Sequence, residues 1–212
     1  MADQLSSQLE KTPVVPLIGE NDPDTALQTA FALESGGLNV IEVVMRSNGA
    51  QRGMEKIIQN SSNLIVGAGT VLTLDQAKSV LDSGAQFIVS PGLVDEIALY
   101  CLDNKVPIFP GTMTAGEVQR AYALGLRDVK FFPASLAGGV PMLKALSAVF
   151  RKMRFMPTGG ITAANLSDYL ALPSVLACGG SWLTPKDAIA TGDFGRISQL
   201  AREAAAIAHT PR

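Results

Sequence analysis

Three ionisable residues stand inside otherwise apolar stretches of this chain: Glu42 and Arg46 in "VIEVVMRS", and Lys130 in "DVKFFP". A lysine amine attacks a carbonyl carbon only when it is neutral, and burial among apolar groups favours the neutral form; the product is a Schiff base. A guanidinium suits a carboxylate beside that carbonyl, gripped through two parallel hydrogen bonds. A carboxylate within reach can move protons to and from the carbon and oxygen atoms involved. Gathered in one place, the three groups would suffice to make and break a carbon–carbon bond next to an iminium.

Their spacing says which way they point. Side chains alternate along a strand, so Val40, Glu42, Val44 and Arg46 share one side and Ile41, Val43 and Met45 the other. The second set is wholly apolar and belongs against a layer of helices, which turns Glu42 and Arg46 the opposite way. In "DVKFFP", alternation pairs Lys130 with Phe132 and Val129 with Phe131, without deciding which pair faces inward. A solvent-facing lysine on a half-exposed strand is the simplest reading of such a run, because lysine is rarely buried unless paired.

The surrounding pattern removes that reading. Eight short apolar runs, "PVVPLIG", "NVIEVVM", "LIVGAGT", "QFIVSPG", "VPIFPG", "DVKFFP", "RFMPTGG" and "SVLACGGSW", alternate with helical patterns. The helices are expected over 23–35, 50–60, 74–83, 94–104, 115–124, 139–149, 163–170 and 195–208. Asp22-Pro23 and Thr162 mark starts, and Gly36, Gly84 and Gly125 mark ends. Strands alternating with helices imply βαβ units and a parallel sheet, and eight of each fit an α/β fold of the (β/α)8 TIM-barrel type. A doubly wound open sheet is the competing architecture. Residues 2–10 form a short N-terminal helix that could close the bottom of the barrel, and 1–212 reads as a single domain without a linker. Parallel strands carry helices on their outer face, so Lys130 has no solvent side along its strand. The other account of Glu42, Arg46 and Lys130 is a buried ion network that only fills space. It is disfavoured because apolar residues of similar size usually serve stability as well.

Active sites of such barrels are built at the C-terminal ends of the strands, with phosphate commonly bound after the last two. "PTGGI" ends the seventh run and "CGGSW" the eighth. Paired glycines let backbone N–H groups approach an anion closely. A phosphorylated ligand is the consequence.

Composition narrows the rest. In 212 residues, 47% are hydrophobic and 17% charged, and the net charge of −2 leaves no basic footprint for nucleic acid or an anionic membrane. The single histidine, His209, lies close to the end of the chain, which argues against a Ser-His-Asp triad, a Cys-His pair or a zinc site, so neither metal nor cofactor is expected. The two cysteines, Cys101 and Cys178, have no metal-ligand spacing and read as packing residues. The polar start "MADQLSSQLEKTP" lacks a secretory pattern, and a cytoplasmic location is expected.

With these residues in view, the chain resembles the 2-keto-3-deoxy-6-phosphogluconate (KDPG) aldolase and 4-hydroxy-2-oxoglutarate aldolase family, class I enzymes. "GAGTVL", "VSPGL", "KFFPA", "PTGGI" and "GGSWL" occur in order at the ends of the third, fourth, sixth, seventh and eighth runs. The resemblance implies a homotrimeric barrel that cleaves a phosphorylated keto acid to pyruvate and glyceraldehyde 3-phosphate. It implies Lys130 as the Schiff-base residue, Glu42 as general acid/base, and Arg46 with Thr70 at the pyruvate carboxylate. Phe132 and Pro91 then line the pocket, while Thr158, Gly159, Gly160 and Ser181 contact hydroxyls and phosphate. The chain departs from the family in "VMRS" (often "TLRT") and in Ser135 of "FFPAS" (often "FFPAE"), and the related phosphogalactonate aldolase also carries serine in that loop. A galactonate-type substrate, or a non-catalytic phospho-sugar-binding barrel, is the alternative.

Overall fold

The computed structural model describes residues 2–209. Nine short strands run β1 (Val14–Ile18), β2 (Val40–Val44), β3 (Ile65–Gly69), β4 (Ile88–Val89), β5 (Ile108–Phe109), β6 (Gly111–Thr112), β7 (Asp128–Phe131), β8 (Arg154–Pro157) and β9 (Cys178–Gly180). Helix α1 (Ala2–Lys11) precedes them. Between and after them lie α2 (Pro23–Ser35), α3 (Ala50–Asn60), α4 (Leu74–Asp82), α5 (Asp95–Asp103), α6 (Ala115–Ala123), α7 (Gly139–Val149), α8 (Leu166–Leu170), α9 (Lys186–Thr191) and α10 (Phe194–Ala208).

Every strand pairing is parallel. One ladder runs β5-β4-β3-β2-β1-β9 and the other β6-β7-β8. The fifth apolar run therefore becomes two strands, parted at Pro110, which has no N–H to give a ladder. Its carbonyl still accepts from the Lys130 N–H at 2.9 Å. At the other margin, isolated parallel bridges join Phe155 to Val175 and Thr158 to Gly179.

Helix boundaries follow from local chemistry. The Asp22 carboxylate caps α2 by accepting from the Thr25 N–H at 2.8 Å, and Thr114 and Glu117 form a reciprocal capping box on α6. The helix expected over 163–170 is shorter and starts only at Leu166. Asn165 holds the preceding turn, accepting from the Thr162 N–H at 2.8 Å and donating to the Gly160 carbonyl at 2.9 Å. Helix α9, of six residues, carries no periodicity long enough to read from sequence.

Two apolar clusters lie on opposite faces of the strands. The larger joins strands to helices and holds Ile41, Val43, Val129 and Phe131, with Met45 packed against it, which is the helix side that alternation assigns to Ile41, Val43 and Met45. The smaller lies on the other face and includes Val15, Val40, Ile65, Phe87, Phe109 and Met156. Leu5 and Leu9, one helical turn apart on α1, are 3% and 1% exposed and belong to this second cluster, so the N-terminal helix covers that end. Among the described residues no helix is long and apolar enough to cross a membrane.

Candidate active site

Glu42 shares its face of β2 with Val40 of the smaller cluster, and Lys130 shares its face of β7 with Asp128. Both are removed from water: Glu42 is 0% exposed and Lys130 4%. Lys130 Nζ lies 3.4 Å from Glu42 Oε1, so residues from distant strands meet above the smaller cluster. Glu42 Oε2 is buried and has no hydrogen-bond partner among the described residues. A carboxylate held beside an amine with one oxygen uncommitted can accept a proton from a third group, which is what acid/base work on a bound ligand requires.

Glycines make room for this pair. A Cβ on Gly69 would stand 2.0 Å from Glu42 Oε1, and one on Gly67 would stand 2.3 Å from the Phe87 ring. Both glycines face the interior from β3, one layer apart. Their part is absent from the expectations drawn on sequence, although "VGAG" carries the signal: glycine at alternate positions of a strand whose interior face is crowded. Gly111 acts similarly at the fourth strand end, since its Cβ would fall 2.0 Å from the Pro91 carbonyl oxygen.

Phe132 and Thr70 sit where alternation and loop geometry carry them. The Phe132 ring centroid is 5.4 Å from Lys130 Nζ, close enough for the ring face to favour a cation there. Thr70 holds a left-handed backbone, φ +58°, a conformation uncommon outside glycine, and its hydroxyl oxygen accepts from Arg46 Nε at 3.0 Å. Strand β2 ends at Val44, and Arg46 on the following loop stays on the side of Val44, lining a cavity with it, but is exposed because that face opens to solvent past the strand end. It reaches back toward the site through Thr70.

The seventh and eighth strand ends lie together. Thr158 is 4% exposed, and a Cβ on Gly179 would come within 2.2 Å of Thr158 Oγ1. Gly159 and Gly160 adopt φ of +95° and +78°. The carbonyls of Thr158 and Gly159 accept from the N–H groups of Ala134 and Ser135 at 2.8 and 3.0 Å, tying this turn to the loop after β7. A Cβ on Gly160 would meet Ser135 Oγ at 2.2 Å, so glycine is required here by backbone and neighbour alike. Ser181 opens the turn after β9, is exposed, and lines a cavity with Arg46. Pro91 is half-buried on the loop after β4. Among the described residues no group of three or more His, Cys, Asp and Glu side chains could hold a metal ion.

Residues 5–200 match the family described as KDPG and KHG aldolase. The chain belongs to that family. A KHG/KDPG aldolase of Escherichia coli is 45% identical over 198 residues, covering 93% of each chain. A 2-dehydro-3-deoxy-phosphogluconate aldolase of Treponema pallidum is 43% identical over 195 residues, covering 92% of this chain and 93% of the relative. A crystal structure of the KDPG aldolase from Legionella pneumophila, described with pyruvate captured as a covalent carbinolamine, superposes with a TM-score of 0.91 at 38% identity, over 94% of this chain and 97% of that one. The KDPG/KHG aldolase match thus runs from within α1 into the first half of α10.

Proposed function

We propose that this chain is a class I aldolase that cleaves 2-dehydro-3-deoxy-6-phosphogluconate to pyruvate and glyceraldehyde 3-phosphate, and 4-hydroxy-2-oxoglutarate to pyruvate and glyoxylate. The single observation that carries the reading is a buried lysine amine 3.4 Å from a buried carboxylate. The Lys130 amine adds to the C2 carbonyl, and loss of water from the carbinolamine leaves an iminium. Glu42 takes the proton of the C4 hydroxyl. The C3–C4 bond then breaks, its electron pair moving through C3 and C2 onto the iminium nitrogen, so that the aldehyde leaves and an enamine remains. Glu42 returns the proton to C3, and water releases pyruvate from Lys130.

Arg46, steadied by Thr70, holds the pyruvate carboxylate, while Phe132 and Pro91 flank the reacting carbon. Thr158, Gly159, Gly160 and Ser181 receive the hydroxyls and phosphate. The site needs no cofactor in this reading. Two contacts support one closed (β/α)8 barrel: the bond from the Lys130 N–H to Pro110, and the bridge from Thr158 to Gly179. A single 1–212 domain, a homotrimer and a cytoplasmic location complete the reading; sedimentation at working concentration tests the trimer.

Incubation with pyruvate and borohydride followed by peptide mass mapping tests the chemistry. One reduced adduct is expected, on Lys130. An adduct on another lysine, or none, overturns the assignment. Ser135, packed against Gly160, favours a second reading in which the C4 epimer from the galactonate series is the main substrate. Turnover of the two epimers side by side decides between them.

A further inference from the structure

Beside the candidate site a cavity of about 550 Å³ opens between the ends of β1, β2 and β9, bounded by Leu17, Glu20, Val44, Arg46, Ser181 and Ile189 among others. Arg46 and Ser181 are shared with the site, and Glu20 is a further carboxylate on the cavity wall. It stands two residues past β1, on a segment braced from both sides. Thr184 Oγ1 donates to the Leu17 carbonyl at 2.8 Å, and Asn21 Oδ1 accepts from the Gly49 N–H at 3.0 Å. Glu20 Oε2 is buried and has no hydrogen-bond partner among the described residues. Burial raises the Glu20 carboxyl above its ordinary range, only partly offset by the backbone N–H groups of Glu20 and Gly19.

A buried carboxylate oxygen without a donor is costly to keep, and the apolar walls Leu17, Val44 and Ile189 have none to offer. Two cations border this cavity, Arg46, whose Nε donates to Thr70, and Lys186, and neither is a hydrogen-bond partner of Glu20 Oε2. A negatively charged group placed against this oxygen itself would be repelled. A neutral hydroxyl is the group that such an oxygen accepts from, and the cavity adjoins the site on the side where the last strand ends.

We infer that Glu20 is a specificity-determining residue whose carboxylate accepts a hydrogen bond from a hydroxyl on the aldehyde-derived half of the substrate. This rests on the aldolase reading above. It assigns the anion and the hydroxyl to different walls: Arg46 and Ser181 face negative charge, and Glu20 selects a donor.

The test is aldol addition of pyruvate to glyceraldehyde 3-phosphate and to 3-oxopropyl phosphate, which has the same length and phosphate but no hydroxyl. In Glu20→Ala the ratio of kcat/KM for the hydroxylated over the deoxy aldehyde should fall about tenfold or more, the loss of one hydrogen bond to a charged group. Glu20→Gln keeps the shape and one acceptor oxygen, so it should restore part of that ratio. Borohydride trapping of pyruvate by the same variants reads the aldolase chemistry separately. An unchanged ratio in both variants, with trapping intact, overturns the role of Glu20 alone. Absence of trapping in the unmodified protein overturns the aldolase reading itself.

Discussion

Asp128 and Lys130 stand two residues apart on one face of β7, and each meets an opposite charge from another strand. Asp128 lies in register with Arg154 of β8 and accepts two hydrogen bonds from its guanidinium, at 2.7 and 2.9 Å. Both partners are partly exposed, and this pairing raises the Arg154 pKa. Lys130 and Glu42 are instead buried, meet at 3.4 Å, and leave one carboxylate oxygen without a partner. Geometry, not charge, separates them. The two-pronged pair has its hydrogen-bonding capacity largely filled and is open to water, so it contributes modestly to stability. In the buried pair capacity is left over, which a ligand can use and which an arrangement built only for stability would not retain.

Substitutions at the two ends of β7 should therefore have different consequences. The largest is expected from Lys130→Met, which keeps an unbranched apolar stem and removes the amine. Turnover of phosphogluconate-derived substrate should fall at least about 10³-fold and pyruvate trapping should vanish, while circular dichroism stays native. Retained trapping would end the distinction between the two pairs. Next is Glu42→Gln, expected to trap pyruvate yet lose about 10²-fold or more in kcat, measured by coupled pyruvate release. Near-normal turnover would point to another base.

Gly69→Ala approaches the same pair indirectly. Its new Cβ would collide with Glu42 Oε1 unless the carboxylate or strand moves. Thermal and urea unfolding should show a loss of about 1–3 kcal/mol, accompanied by a fall in kcat. A variant with both unchanged would mean that Glu42 is not tightly positioned. The smallest effect belongs to Asp128→Asn: a loss of about 1 kcal/mol or less that shrinks further in high salt, with kcat unaltered. A drop in kcat comparable to that of Glu42→Gln would erase the contrast.

How much of this was legible depends on how local each feature is. The helices over 23–35, 50–60 and 139–149 have the bounds that periodicity gives them, because caps and amphipathic spacing act within a few residues. The helix-facing set Ile41, Val43 and Met45 was readable for the same reason, and so was the covered position of Lys130 on a parallel strand. Local rules do not say where an element stops. Arg46 keeps the parity of Glu42 and lines a cavity with Val44, but it lies past the end of β2, where that face is open to solvent. The split of the fifth run at Pro110 and the existence of α9 likewise depend on which neighbours supply hydrogen bonds.

By itself, then, the sequence determined a parallel βα succession, the glycine-rich strand ends and the placing of one lysine and one carboxylate on covered strands, since alternation and capping are properties of consecutive residues. The tertiary structure decided which of those residues touch. That Glu42 and Lys130, 88 positions apart, meet at 3.4 Å depends on register and twist across several strands. So do the clearance that Gly69 leaves for a carboxylate, the overlap of Gly160 with Ser135, and the unpartnered oxygen of Glu20 above a cavity. Each is a distance between segments remote in the chain, and no spacing along the sequence encodes it.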